Sequence, residues 1–82
     1  EVHTLKSFPN PAKNNVRIEL PDDLVDFTYS VQNVVGQQVL NGTGDQNGIL
    51  ELDVESLNSG MYFVSIQKDD RIVATAKFEK SE

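Results

Sequence analysis

The sequence predicts an all-β fold, an antiparallel β-sandwich, on three observations. Short runs alternate apolar with polar residues, as where Arg17 and Glu19 separate Val16, Ile18 and Leu20, and this two-residue period is typical of a strand. Such runs recur about every 8 to 12 residues, with Gly, Pro, Asn and Asp between them. No run has the period of an amphipathic helix. A chain of 82 residues then holds about six to seven short strands, the number found in an immunoglobulin-like sandwich.

Two prolines organise the start of the chain. Residues 2–8 are a weak first edge strand that ends at Pro9-Asn10-Pro11. Because proline lacks a backbone donor and has a fixed φ angle, this motif is predicted to be an ordered turn. The first clear strand spans residues 14–20, and Pro21-Asp22-Asp23 predicts the loop after it.

The middle of the chain predicts a hairpin followed by a glycine-rich loop. Residues 26–33 alternate as a strand, and Gly36 is expected to take the left-handed conformation of a short hairpin loop. Residues 37–40 are the short return strand at a sheet edge. Residues 42–48 predict a polar loop. Asn41-Gly42-Thr43 formally matches an N-glycosylation acceptor, but a turn is the favoured interpretation.

Residues 50–60 predict a strand and then a turn. Leu50, Leu52 and Val54 alternate with acidic residues. The next five residues are too short for a helix. Leu57 is therefore expected to cover the end of the core, and Gly60 to supply a turn conformation.

The remaining residues predict the closing hairpin. Residues 61–67 are rich in aromatic and β-branched residues and are the strongest β segment. Lys68-Asp69-Asp70-Arg71 reverses the chain. The last strand, residues 72–78, is expected to place its apolar side chains on one face: Ile72, Ala74, Ala76 and Phe78.

Composition limits the source of stability and the kinds of partner. Hydrophobic residues are 38% of the chain, with no Cys and no Trp, so stability must come from a core of Val, Ile, Leu, Phe and Tyr. The lack of Cys leaves the compartment open. The net charge is −6, which repels phosphate backbones and anionic lipid. We expect no nucleic-acid partner, and no membrane insertion because no apolar run approaches about 18 residues.

The sequence contains no set of residues arranged for catalysis. His3 is the only imidazole and lies in the terminal segment, with no carboxylate or nucleophile at an informative spacing. A Ser-His-Asp triad would need that histidine, and no Cys/His set for zinc is present. We therefore predict that the chain is not an enzyme and that it binds no cofactor and no metal.

Two binding hypotheses are weaker than plainer ones. Acidic loops can pool oxygen ligands for Ca²⁺, but Asp and Asn are also ordinary turn residues, and the turn role is favoured. These loops contain Asp22, Asp23 and Asp26, then Asp45 and Asn47, then Asp69 and Asp70. The aromatic residues could stack on sugars, but most share faces with Val, Ile and Leu, so core packing is favoured. They are Phe27, Tyr29, Tyr62, Phe63 and Phe78.

Four segments follow one another in a characteristic order. Residues 7–14 contain an aromatic residue, Pro-Asn-Pro and a polar spacer, and residues 33–39 contain the Gly36 hairpin. Residues 52–64 contain Leu-x-Ser-Gly-x-Tyr, and residues 75–78 form a closing strand. Over about residues 5–80, this order resembles the C-terminal sorting domains of the type IX secretion system, known from Bacteroidota. The chain departs from the family pattern at Met61, at Asp69-Asp70 and in residues 79–82.

The resemblance implies a secretion label. Residues 1–8 would be a linker or first edge strand leading in from an upstream cargo protein, and residues 9–80 would be the sorting domain; a start at Glu1 without Met suggests such a longer parent. The cargo would cross the periplasm, engage the type IX translocon and reach the cell surface or the extracellular space. A sortase-like protease would remove the domain by a cut before Pro9. The alternative is an immunoglobulin-like adhesion or carbohydrate-binding module of an extracellular protein.

The motif residues are the candidates for recognition, either directly or beside an exposed sheet edge that a partner strand extends. The plainer interpretation is that they only make the fold. They are Pro9, Asn10, Pro11, Asn14, Gly36, Leu57, Ser59, Gly60, Tyr62, Lys77 and Phe78.

Overall fold

The computed structural model describes residues 2–44 and 48–81, in which there are strands and no helix. The strands are β1 (His3–Thr4), β2 (Ser7–Phe8), β3 (Asn15–Glu19), β4 (Phe27–Asn33), β5 (Gln38–Gly44), β6 (Ile49–Asp53), β7 (Gly60–Lys68) and β8 (Arg71–Lys80). The all-β prediction is confirmed. There are eight strands in these residues, more than predicted, because the weak first strand divides into β1 and β2.

The strands form two sheets around one core. The larger sheet has the order β1-β8-β7-β4-β5, and the smaller has the order β2-β3-β6. Neighbouring strands are antiparallel, except that β1 runs parallel to β8. A single cluster of buried side chains receives residues from both sheets, so the fold is a β-sandwich. Within residues 2–44 and 48–81, no helix is long and apolar enough to span a membrane.

The alternation in the sequence corresponds to the buried face of each long strand. In β3, Val16 and Ile18 are fully buried while the residues around them are exposed. Burial of one such side chain contributes about 1.5–3 kcal/mol, so this two-residue period is a main source of stability. The largest fully buried side chains come from both sheets and from the segment after β6: Phe78, Ile18, Ile66, Val16, Val31, Val54 and Val64.

Residues 3–12, here called the N-terminal segment, join the two sheets along one side of the sandwich. The backbone amide of Leu5 donates to the carbonyl of Thr75 in β8 at 2.8 Å. The carbonyl of Lys6, one residue later, accepts from the amide of Glu19 in β3 at 3.0 Å. Consecutive residues therefore bond to different sheets, which is why the predicted first strand is split.

The β4–β5 hairpin confirms the predicted role of Gly36, whose φ is +89°. The Oδ1 atom of Asn33 accepts hydrogen bonds from the amides of Val35 at 3.1 Å and Gln37 at 3.0 Å. The Asn side chain thus satisfies two backbone donors of the loop, while glycine takes the left-handed position without a Cβ penalty.

Strand β5 is longer than predicted. The loop expected from residue 42 and the turn expected at Asn41-Gly42-Thr43 are wrong, because these residues lie in β5 up to Gly44. Gly42 pairs with Tyr29 and Gly44 pairs with Phe27, and each aromatic ring lies over its glycine. A Cβ at Gly44 would lie 2.5 Å from the Cζ atom of Phe27. Glycine is thus needed here for a close cross-strand contact.

The β7–β8 turn is confirmed and contains no glycine. Asp69 and Asp70 have φ angles of 54° and 65°, and Lys68 pairs with Arg71 on either side of them. Two central residues with positive φ are characteristic of a type I′ turn, which matches the twist of the flanking strands. Aspartate tolerates this conformation better than most residues.

The predicted apolar face of the last strand is wrong at its first residue. Ile66 pairs with Ala74, but Gln67 pairs with Ile72, so the register shifts by one residue in β8. This bulge turns Ile72 outward, where 45% of its surface is exposed. The other predicted members of the face, Ala74, Ala76 and Phe78, are buried.

Candidate recognition site

The four sequence motifs meet at one end of the sandwich, here called the motif end. Strands β3 and β7 begin there, and β4, β6 and β8 finish there. Lys80, the last residue of β8, pairs with Gly60 on the β7 side and forms a bridge with Ala12 on the opposite side. Ala12, which follows Pro-Asn-Pro, and Gly60 of the Ser-Gly motif therefore lie on opposite sides of Lys80, although they are distant in sequence.

Pro9-Asn10-Pro11 interrupts the strand as predicted, and both of its X–Pro bonds are cis. The Oδ1 atom of Asn10 accepts a hydrogen bond from the amide of Glu79 at 2.9 Å. Just before the motif, the Oγ atom of Ser7 donates to the carbonyl of Lys77 at 2.6 Å. The polar side chains thus bond to β8, while both prolines are exposed to solvent.

The segment between β6 and β7 closes the motif end. The amide of Val54 donates to the carbonyl of Asn14 at 2.8 Å, and the amide of Leu57 donates to the carbonyl of Val54 at 3.0 Å. Leu57 is half-buried and packs against the core, as predicted. Ser59 is exposed. Gly60 has a φ of +145°, which confirms the predicted turn conformation.

Tyr62 and Phe78 pack against each other inside the motif end. Their rings stack with a centroid distance of 5.4 Å and an interplanar angle of 20°, across directly paired positions of β7 and β8. Both side chains are buried. The hydroxyl of Tyr62 donates to the carbonyl of Asn58 at 2.6 Å. The Ser-Gly-x-Tyr motif is therefore a structural unit in which tyrosine bonds back to the turn that precedes it.

Burial separates the candidate residues into two groups. Tyr62, Phe78 and most of Leu57 are covered by the core. The exposed candidates are Pro9, Asn10, Pro11, Asn14, Gly36, Ser59, Gly60 and Lys77. These exposed residues lie at or close to the motif end. Contact between any of them and a partner stays a prediction.

Sequence reasoning missed two side chains near this end. The expectation that Phe63 packs in the core is wrong, because 43% of its surface is exposed. Tyr62 and Val64 on either side point inward, so the two-residue period already indicated an outward Phe63. Lys80 is only 6% exposed, and its Nζ atom donates to a neighbouring backbone carbonyl at 3.2 Å. It follows Phe78 by two residues, so the same period would have placed it inward.

Three aspartates of the predicted acidic loops take left-handed backbone conformations. Asp26, Asp69 and Asp70 all have positive φ angles, which aspartate tolerates better than most residues. Among the residues that the structure describes, no group of three or more His, Cys, Asp or Glu residues could hold a metal ion. Asp45 and Asn47, members of the second acidic loop, lie outside the described residues.

The fold and the motif end define a class of protein: a small β-sandwich domain with exposed turn motifs around its last strand. Residues 6–80 match the family model of the secretion system C-terminal sorting domain. The chain belongs to this family and is a type IX secretion C-terminal sorting signal. Such a signal implies a cargo fused at its N-terminal side and export to the cell surface or the extracellular space. No curated protein matches the chain.

Proposed function

We propose that the folded sandwich binds the type IX translocon in the periplasm and so directs its fused cargo across the outer membrane. A sortase-like protease then removes the domain at the cell surface. Family membership supports the sorting role. The observation that supports recognition of the folded domain is the meeting of the exposed motif residues around the end of β8. We propose that one partner surface contacts several of them.

The path of the N-terminal segment is compatible with this role. β1 runs parallel to β8, with His3 paired to Ala74 and Thr4 to Thr75. His3 therefore lies beside Ala74, six residues before the end of β8 at Lys80. At the rise of a strand, this point is roughly 20 Å from the motif end. Cargo that precedes residue 2 is attached away from the motif end, which leaves that end open to the translocon.

We place the proteolytic cut ahead of His3. Proteases act on exposed segments that are free of secondary structure. Residues 3–8 lie in or between β1 and β2 and are hydrogen-bonded to both sheets. A bond within them is therefore protected while the sandwich is folded. This protection supports a cut before Pro9, and we propose that the cut lies upstream of His3.

A secretion assay tests the proposed function. Residues 1–82 are fused behind a signal peptide and a fluorescent reporter, and the fusion is produced in a bacterium that has type IX secretion. The reporter is expected at the cell surface or in the medium, whereas the same reporter without the domain stays in the periplasm. Equal periplasmic retention of the two proteins would contradict the proposal.

A further inference from the structure

A cavity of about 700 Å³ lies between the N-terminal segment and the outer face of β7 and β8. We call it the outer groove. Its volume is within the range of ligand sites, about 300–1,000 Å³. The lining residues that matter here are Lys6 and Phe8 of the N-terminal segment, Phe63 and Ser65 of β7, and Thr75 and Lys77 of β8.

Two aromatic residues that line the outer groove are partly exposed to solvent, and Phe8 also lines a second groove beside Arg17 and Glu51. Phe8 is 36% exposed and Phe63 is 43% exposed, and neither belongs to the core cluster. Aromatic side chains are enriched in the buried centres of protein interfaces, and exposed apolar patches commonly mark such sites. The two rings therefore offer a partner apolar surface that folding leaves uncovered.

The charge of the outer groove is opposite to that of the chain. The chain has a net charge of −6, yet the groove is lined by Lys6 and Lys77 and by no acidic residue among those described. The nearest acidic residue along β8, Glu79, lies beyond the lining. Because charge complementarity selects partners and aligns them, the groove favours an anionic one.

The side chains of the groove repeat at the spacing of an extended peptide. Phe63 is paired with Lys77, and Ser65 is paired with Thr75, so an aromatic ring and an ammonium group lie at one level and two hydroxyls at the next. Side chains on one face of a strand repeat about every 6.6 Å. An extended peptide along β8 has the same repeat, so it can place an apolar side chain against Phe63 and carboxylates at the lysines.

We infer that the outer groove binds an extended acidic segment of the sorting machinery, with apolar side chains against Phe8 and Phe63 and carboxylates at Lys6 and Lys77. The inference rests on the proposed function, to which it adds the binding surface and the chemistry of the partner. The groove adjoins the motif end because Ser7 and Asn10, which bond to β8, also line it.

Two matched double variants test the groove in the secretion assay. Phe63→Ser with Lys77→Glu changes the groove. Ile72→Ser with Arg71→Glu is the control. It also replaces one apolar side chain by Ser and one cation by Glu, but at the far end of β8, where Ile72 is 45% exposed and Arg71 is also exposed. Because all four side chains are exposed, both variants should keep the thermal unfolding midpoint of the wild type within a few degrees. Export of the groove variant is expected to fall about tenfold, from lost charge and ring contacts, and export of the control to stay unchanged.

The outcomes separate the groove from the sorting role. Normal export of a folded groove variant would contradict binding at the outer groove. The proposed sorting role would still stand. Failure of the wild-type fusion to be exported contradicts the proposed function itself. If the double variant unfolds, the single Lys77→Glu variant replaces it, because that side chain is exposed.

A peptide titration tests the groove without any secretion machinery. The probe is a capped seven-residue peptide, Phe-Ser-Glu-Ser-Phe-Ser-Glu, which presents Phe and Glu on the same face of an extended chain, and its control has Lys in place of each Glu. Amide NMR shifts around Phe63, Ser65, Thr75 and Lys77 are expected with the acidic peptide, and about tenfold weaker binding is expected with the basic one. Shifts elsewhere only, or equal binding of both peptides, would overturn the inference.

Discussion

Replacement of Gly44 by alanine should destabilise the domain more than its single methyl group suggests. A Cβ at this position would lie 2.5 Å from Cζ and 2.8 Å from Cε1 of Phe27. Phe27 is only 3% exposed, so its ring cannot move away without disturbing the core. Overpacking of this kind costs about 1–3 kcal/mol. A loss of about 2 kcal/mol lowers the unfolding midpoint of so small a domain by roughly 8–16 °C.

Gly42→Ala is the matched control for this prediction. Its Cβ would lie 2.6 Å from the hydroxyl of Tyr29, but Tyr29 is only half-buried, so the ring can tilt toward solvent. The lower entropy of the unfolded chain, worth about 0.4–1 kcal/mol, offsets part of the cost. Thermal and urea unfolding followed by circular dichroism measure both variants. Equal stabilities, or a larger loss for Gly42→Ala, would refute the packing argument.

Two further substitutions test the turn that leads into β7. Gly60→Val should cost about 2 kcal/mol because φ is +145°; no atom lies within 4 Å of the added Cβ, so a urea midpoint equal to wild type would contradict the backbone conformation. Tyr62→Phe removes the hydrogen bond to the carbonyl of Asn58 and should cost about 1 kcal/mol. Unchanged stability on urea unfolding would mean that this bond contributes nothing.

The faces of most strands were predictable from the sequence because alternation is a local signal. Val16 and Ile18 show this in β3. The prediction failed where the deciding contact comes from another strand. Gly42 and Gly44 suggested a loop by composition, but rings on the neighbouring strand favour glycine there. The predicted face of Ile72 was wrong because a bulge reverses the side of the sheet to which the preceding residues of the strand point.

The candidate site was predictable as a set of motifs but not as one surface. The segments around Pro9-Asn10-Pro11 and Gly60 meet only because β8 lies between the N-terminal segment and β7. That sheet order depends on long-range pairing, which the period of a single strand does not encode. The exposure of Phe63, by contrast, was predictable from the same alternation that buries Tyr62 and Val64.

The most direct test of the central claim compares one fusion in two strains. The reporter joined to residues 1–82 is produced in a strain with a working type IX translocon and in an otherwise identical strain without it. A sorting signal that acts through this system should place the reporter at the cell surface or in the medium of the first strain and leave it in the periplasm of the second. The same distribution in both strains would contradict the account.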